Sequence, residues 1–97
     1  MPIVCTHPAT TTGHDGFPST VSQGGDPFLV IDGHPVVLVG QEFAPHRNSK
    51  GAVHTPVLAS GSSFVTVNGI PVGLVGSALN CGDTVATSAT PLFTIEE

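Results

Sequence analysis

Charge is what this chain has least of. Charged residues fill 9% of its 97 positions, and the strong cations are Arg47 and Lys50 alone, against seven acidic residues and a formal net charge of −5. Nucleic acids and anionic lipid surfaces are held by basic faces, so this shortage argues against both as partners. Trp and Tyr are absent. No stretch approaches the roughly 20 apolar residues of a membrane-spanning helix. The opening MPIVCTH has neither the basic region nor the long apolar core of a secretory signal, and the expectation is a chain made in soluble form in the cytoplasm. Runs of Ala, Leu, Glu and Lys, the material of helical bundles, are missing too. Residues 41–60 show no period near 3.6, so no helix longer than a single turn is expected. Cysteine stops at Cys5 and Cys81. Their separation, without a secretory signal, points to free or metal-bound thiols rather than a disulfide.

What is plentiful is apolar and turn-forming. Hydrophobic residues make up 39% of the chain, too many for a disordered tail, and Gly 12 and Pro 9 punctuate them at short intervals. Short strands in an all-β domain spanning residues 1–97 fit this balance. A domain of this size buries a small core, so an added staple is expected.

A duplication organises the strands. Phe28 to Gly40, FLVIDGHPVVLVG, returns thirty-six positions later as Phe64 to Gly76, FVTVNGIPVGLVG, with seven of thirteen residues identical. Asp32-Gly33 and Asn68-Gly69 are pairs that accept positive φ at both centres of a type I′ turn, so each copy reads as a β-hairpin. The expected strands are 28–31 with 36–39, and 64–67 with 72–75. Pro35 and Pro71 fall just after the turns, where a missing donor is tolerable at an edge or strand start. Val36-Val37-Leu38-Val39 is apolar on both faces and should be covered on both. Repeats of this length stack on one another or on a partner. Thr90-Pro91-Leu92-Phe93, set out much as Thr55-Pro56-Val57-Leu58 is before the second hairpin, suggests a third, truncated copy and a pseudo-threefold object.

The histidines form the second pattern, five in a chain with two strong cations. His14, His46, His54 and Cys81 lie outside the hairpins, in connecting segments that a threefold arrangement would bring to one end. Three imidazoles and a thiolate would close a tetrahedral zinc site. No CxxC or HxxxH pair anchors that spacing, and solvent-exposed turn histidines are the other reading. Cys81 matches Pro45 in the repeat register, beside His46, which places Cys81 and His46 in equivalent loops. His34 takes the slot of Ile70 and reads as a strand or surface side chain. His7 and Cys5 could share a strand face, although Cys5 also suits a small buried apolar position.

The pattern [FV]-x-[VI]-[ND]-G-x-P-[AV]-x-x-V-G, seen in FLVIDGHPVVLVG at 28–40 and in FVTVNGIPVGLVGSALNCGD at 64–83, resembles the PAAR-repeat family. GHDG at 13–16, PHRNSKGAVH at 45–54 and the Cys81 loop follow the order of that family's loops. The resemblance implies a β-rich pseudo-threefold cone that caps and sharpens the trimeric, VgrG-like β-helical spike of type VI secretion systems and related contractile injection machines. One monomer per trimer is implied, aiding membrane piercing and effector delivery, with the protein leaving the cytoplasm at the spike tip. It also implies a structural Zn2+ near the apex, held by three His and one Cys, roles that fall here to His14, His46, His54 and Cys81. No catalytic residue is implied. The chain departs from many members at Gln41, Ser77, Val36 and Val72, and it ends with the repeats, which leads us to expect no attached toxin or membrane segment. A small zinc hydrolase is the reading from another class; its general base would be Asp15 or Asp83, and it would need an open coordination position. A module whose exposed loops carry effector proteins is compatible with the tip.

Overall fold

Sharp turns divide the chain into limbs that run back and forth along one long axis. A computed structural model describes residues 2–96, with extents of 40 × 24 × 23 Å. No helix occurs among the described residues. The strands are β1 (Thr10–Thr11), β2 (Asp26–Ile31), β3 (His34–Val36), β4 (His46–Arg47), β5 (Val53–His54), β6 (Thr66–Val67), β7 (Ile70–Pro71) and β8 (Val85–Thr87). Antiparallel pairs β2–β3 and β6–β7 are the two repeated hairpins. Their turns have the expected geometry, with φ of 50° and 80° at Asp32 and Gly33 and of 52° and 80° at Asn68 and Gly69. At a type I′ turn both central residues sit at positive φ, which Asn, Asp and Gly accept at least cost.

The returning strands differ from expectation. They begin at His34 and Ile70, directly after the turns, and run through the prolines, so that Pro35 faces Val30 and Pro71 faces Thr66. Proline donates nothing, but its carbonyl serves the neighbouring repeat: His7 N donates to Pro35 O at 2.8 Å and Val39 N to Pro71 O at 3.0 Å. Beyond Val36 and Val72 the hairpin ladder gives way to bonds between repeats. Cys5 N donates to Gly73 O at 2.8 Å, Gly73 N to Val37 O at 2.7 Å, and Val37 N to Cys5 O at 2.9 Å. These three closed bonds form a ring about the pseudo-threefold axis. The bridges Thr6↔Val36, Leu38↔Val72 and Val4↔Leu74 repeat the cycle one step out.

That ring identifies the third copy, which is not a truncated one. Cys5 stands where Val37 and Gly73 stand, so residues 3–7 are the third returning strand. Its outgoing partner comes from the far end of the chain. Ile3 bridges Thr94, and Val4 N donates to Phe93 O at 3.0 Å as Val72 N does to Val65 O at 3.1 Å. Phe93 therefore matches Val65 and Leu29. The expected likeness of Thr90-Pro91-Leu92-Phe93 to Thr55-Pro56-Val57-Leu58 is not kept: Thr55–Leu58 lies higher, where Glu42 bridges Val57 and Leu58 bridges Leu79.

From the ring, three limbs rise to a second apolar tier and turn back above it. Val4, Val36, Leu38, Val72 and Leu74 fill the lower core, and Cys5, Ala9, Val37, Phe43, Leu58, Leu79 and Val85 fill the upper one. Val36, Val37 and Leu38 are all buried, as their two-faced apolarity requires. The limbs pair around the wall through Thr10↔Val21, Ser22↔Phe43, Glu42↔Val57, Leu58↔Leu79, Ala78↔Thr84 and Thr10↔Thr87. Each limb thus meets a neighbour on both sides, and no long sheet edge is left among the described residues to pair with strangers.

Candidate metal centre

The turns above the upper tier carry the chemistry. The first is a two-residue turn in which His14 N donates to Phe17 O at 3.0 Å and Phe17 N to His14 O at 2.6 Å. Asp15 and Gly16 make its corner at φ of 43° and 82°, the same Asp-Gly geometry as the hairpin turn at 32–33. In the second, β4 and β5 place His46 opposite His54. Cross-strand partners project from the same face, so the two imidazoles lie side by side. The third is the Leu79–Asp83 turn, closed by Leu79 N to Asp83 O at 2.9 Å and by Gly82 N to Leu79 O at 3.2 Å, and it presents Cys81.

One ligand atom from each of His14, His46, His54 and Cys81 lies within 4.8 Å of all the others. The Nε2 atoms of His14 and His54 are 3.2 Å apart, and those of His46 and His54 are 2.6 Å apart. Ligand atoms around a tetrahedral zinc stand about 3.3 to 3.6 Å from each other, so the cluster is close to the size such an ion sets. The tautomer of His46 suits the role. Its Nδ1 lies 2.8 Å from Pro18 O, which can only accept, so the proton sits on Nδ1 and Nε2 turns its lone pair inward. His54 is held below the ordinary histidine pKa, first by burial and then by His46 and His14, with Asp83 opposing. A neutral imidazole is the form that ligates a cation. The donor set therefore fits a soft-to-borderline divalent ion such as zinc.

The other sequence candidates are placed elsewhere. Cys5 is fully buried at the threefold ring, and burial pushes its thiol up to about 12. His7 Nδ1 is 2.7 Å from Ser22 Oγ, and His34 Nδ1 is 3.2 Å from His7 O; neither joins the cluster. Asp15 has a 94% exposed side chain, 3.7 Å from His14 Nδ1. Asp83 is 1% exposed. Its Oδ1 accepts from Gly13 N at 2.9 Å, Thr84 N at 2.8 Å and Thr12 Oγ1 at 2.9 Å. Burial raises the pKa of this carboxyl, but the bonds from Thr11, Thr84, Thr12 and Gly13 outweigh it and hold the group below the usual range. It is a clamp joining the first apical loop to the third.

Sequence reasoning missed Phe17. Its ring centroid is 5.0 Å from His14, 4.8 Å from His46 and 4.2 Å from His54. The signal was present: a residue directly after His-Asp-Gly opposes the His across a two-residue turn.

The family model described as the PAAR motif matches residues 11–87, most of the chain. A search of curated proteins found no match. The chain belongs to the PAAR-motif family, a family of spike-tip proteins.

Proposed function

We propose that this protein is the structural tip of a contractile injection spike, one monomer capping a trimeric VgrG-like protein. The observation that carries the reading lies at the base. Phe28, Phe64 and Leu92 occupy equivalent places in the three copies and are 84%, 73% and 95% exposed. Three similar apolar side chains about a pseudo-threefold axis suit three identical subunits. At the other end, the proposed ligands of a structural Zn2+ are His14, His46, His54 and Cys81. Four protein donors leave no open position, so the ion's contribution is to tie three loops together, on the order of 10 kcal/mol of folding free energy in small domains. A stiff, narrow apex on an apolar base is what piercing a membrane from a spike requires. The domain, residues 1–97, is made in the cytoplasm and leaves it on the spike, with effector proteins as cargo partners.

No observation favours the hydrolase. Asp83 accepts from Gly13, Thr84 and Thr12 through Oδ1, while its Oδ2 is buried with no hydrogen-bond partner, and the carboxylate of Asp15 stands out in solvent; four protein donors at the cluster leave no open position for a metal-bound water. One experiment tests both ends of the proposal. Copurified with its trimeric spike, the complex should contain one copy of the chain and one equivalent of zinc, by native mass and metal analysis. Cys81→Ser and His54→Ala should lower zinc content and thermal stability together, while His34→Ala changes neither. Three copies per trimer would overturn the capping model, and full zinc occupancy in Cys81→Ser would overturn the ligand set.

A further inference from the structure

We propose that Phe17 is a positioning residue of the metal centre, holding the imidazoles in their convergent orientation by ring stacking. The inference rests on the metal-site reading above and adds to it a residue that is not a ligand.

A histidine that ligates a metal is usually oriented by a hydrogen bond from its other ring nitrogen. In this cluster His46 has that bond, to Pro18 O. His14 does not: its Nδ1 is buried with no hydrogen-bond partner. His54, which is partly buried, is bonded within the protein through Nε2 only. Two of three imidazoles therefore lack the customary restraint on ring rotation. The terminal torsion of a histidine is broad, so without a restraint these rings would sample orientations that turn Nε2 out of the cluster.

Phe17 supplies what is missing. It lies nearly parallel to His14, with an interplanar angle of 19° and a centroid separation of 5.0 Å, and it meets His54 at 4.2 Å and 43°. These separations lie in or just inside the range in which aromatic pairs attract beyond simple area burial. Rotation of His14 or His54 about its terminal torsion would break that contact or drive the ring into Phe17. The reciprocal backbone bonds of the His14–Phe17 turn fix the main chain from which the Phe17 side chain leaves. Pro18, the next residue, offers the carbonyl that orients His46. One five-residue loop thus contributes a ligand at 14, a stacking plane at 17 and an outer hydrogen-bond acceptor at 18.

Planarity distinguishes this role from space filling. Leucine at 17 would keep apolar volume but offer no face for an imidazole to stack on, whereas tyrosine would keep the face. The test uses the full chain loaded with zinc or with Co2+. Release of metal to a chelator is followed after mixing, and the Co2+ absorption bands report ligand geometry. Loss of an orienting group beside a metal ligand typically weakens binding 10- to 100-fold. Phe17→Ala and Phe17→Leu should both release metal roughly tenfold faster or more, with shifted Co2+ bands, while Phe17→Tyr stays near the unmodified protein. Thr66→Ala, at an exposed position of β6 outside the cluster, should release metal at the unmodified rate. If Phe17→Leu matches the unmodified chain in rate and spectrum, Phe17 only fills space and the proposal falls. If the unmodified chain binds no metal, the metal reading itself fails, an outcome distinct from a Phe17 effect that does not appear. Phe17→Leu is mild enough to decide the matter should Phe17→Ala not fold.

Discussion

A single buried carboxylate shows how residues of the apex depend on one another. Asp83 receives two backbone N–H groups and a hydroxyl from residues seventy and more positions away or adjacent to it, and so locks the 12–14 segment to the 81–84 turn. Truncation to alanine would strand Gly13 N and Thr84 N in a buried place. Leaving buried donors unmade costs about 1 to 3 kcal/mol, and more where the lost acceptor was charged. Asp83→Ala should therefore lower the melting temperature by about 4 to 8 °C per kcal/mol lost in a domain of this size, while Asp83→Asn, which keeps an acceptor at Oδ1, should lose less. Chemical or thermal denaturation measures the difference; equal stability of both variants and the unmodified chain would refute the clamp. At this scale the sequence was readable by residue type and not by partner. His14, His46, His54 and Cys81 stand out as metal-ligand chemistry, whereas Asp83 enters only with Asp15, as a candidate base for the alternative hydrolase. Which carboxylate is enclosed by backbone donors depends on contacts across seventy residues, and no local pattern encodes them.

The hairpins were the most legible elements, because Asp32-Gly33 and Asn68-Gly69 announce their turns through local backbone sterics. The third copy was hidden by the same logic: its two limbs, bridged at Ile3 and Thr94, come from opposite ends of the chain, with no turn sequence between them. The extent of β3 and β7 was misjudged because the apolar run 36–39 serves the threefold ring rather than the hairpin ladder. Position 73 carries this lesson into a test. Repeat comparison recommends Val there, the counterpart of Val37, and consensus substitutions often stabilise. The structure argues the reverse. A Cβ on Gly73 would stand 2.5 Å from Leu58 Cδ2, 2.9 Å from Val37 O and 3.3 Å from Cys5 Cβ. Leu58 fills the space that a third side chain at the ring would need. Gly73→Val should destabilise by about 1 to 3 kcal/mol through overpacking. The penalty should shrink in a Leu58→Ala background, since the two side chains compete for one volume. A stabilised Gly73→Val protein would show that the ring can open to admit it.

For the whole molecule the governing fact is a single chain with near-threefold symmetry and unlike ends. The apex is closed by its loops, whereas the base leaves Leu29, Ile31, Val65, Val67 and Ile95 only partly buried against the lower core, with Phe28, Phe64 and Leu92 standing beyond them. Exposed apolar side chains of this size contribute little to folding, and their replacement should change stability within about 0.5 kcal/mol. On the proposed capping they serve as interface anchors, and truncating a hot-spot aromatic costs about 2 kcal/mol or more of binding. Phe28→Ser and Phe64→Ser should each weaken binding to the trimeric spike by a factor of about 10 to 30, and the triple variant with Leu92→Ser should not bind measurably. The same triple variant should be the better behaved protein alone, with less self-association in sedimentation than the unmodified chain, because the surface that calls for a partner has been removed. On the proposed capping, single variants at different corners should weaken binding to similar degrees, since each side chain would meet an identical subunit of the spike. Unchanged affinity in the triple variant, at unchanged melting temperature, would move the docking surface away from the base and leave the pseudo-threefold symmetry without its partner.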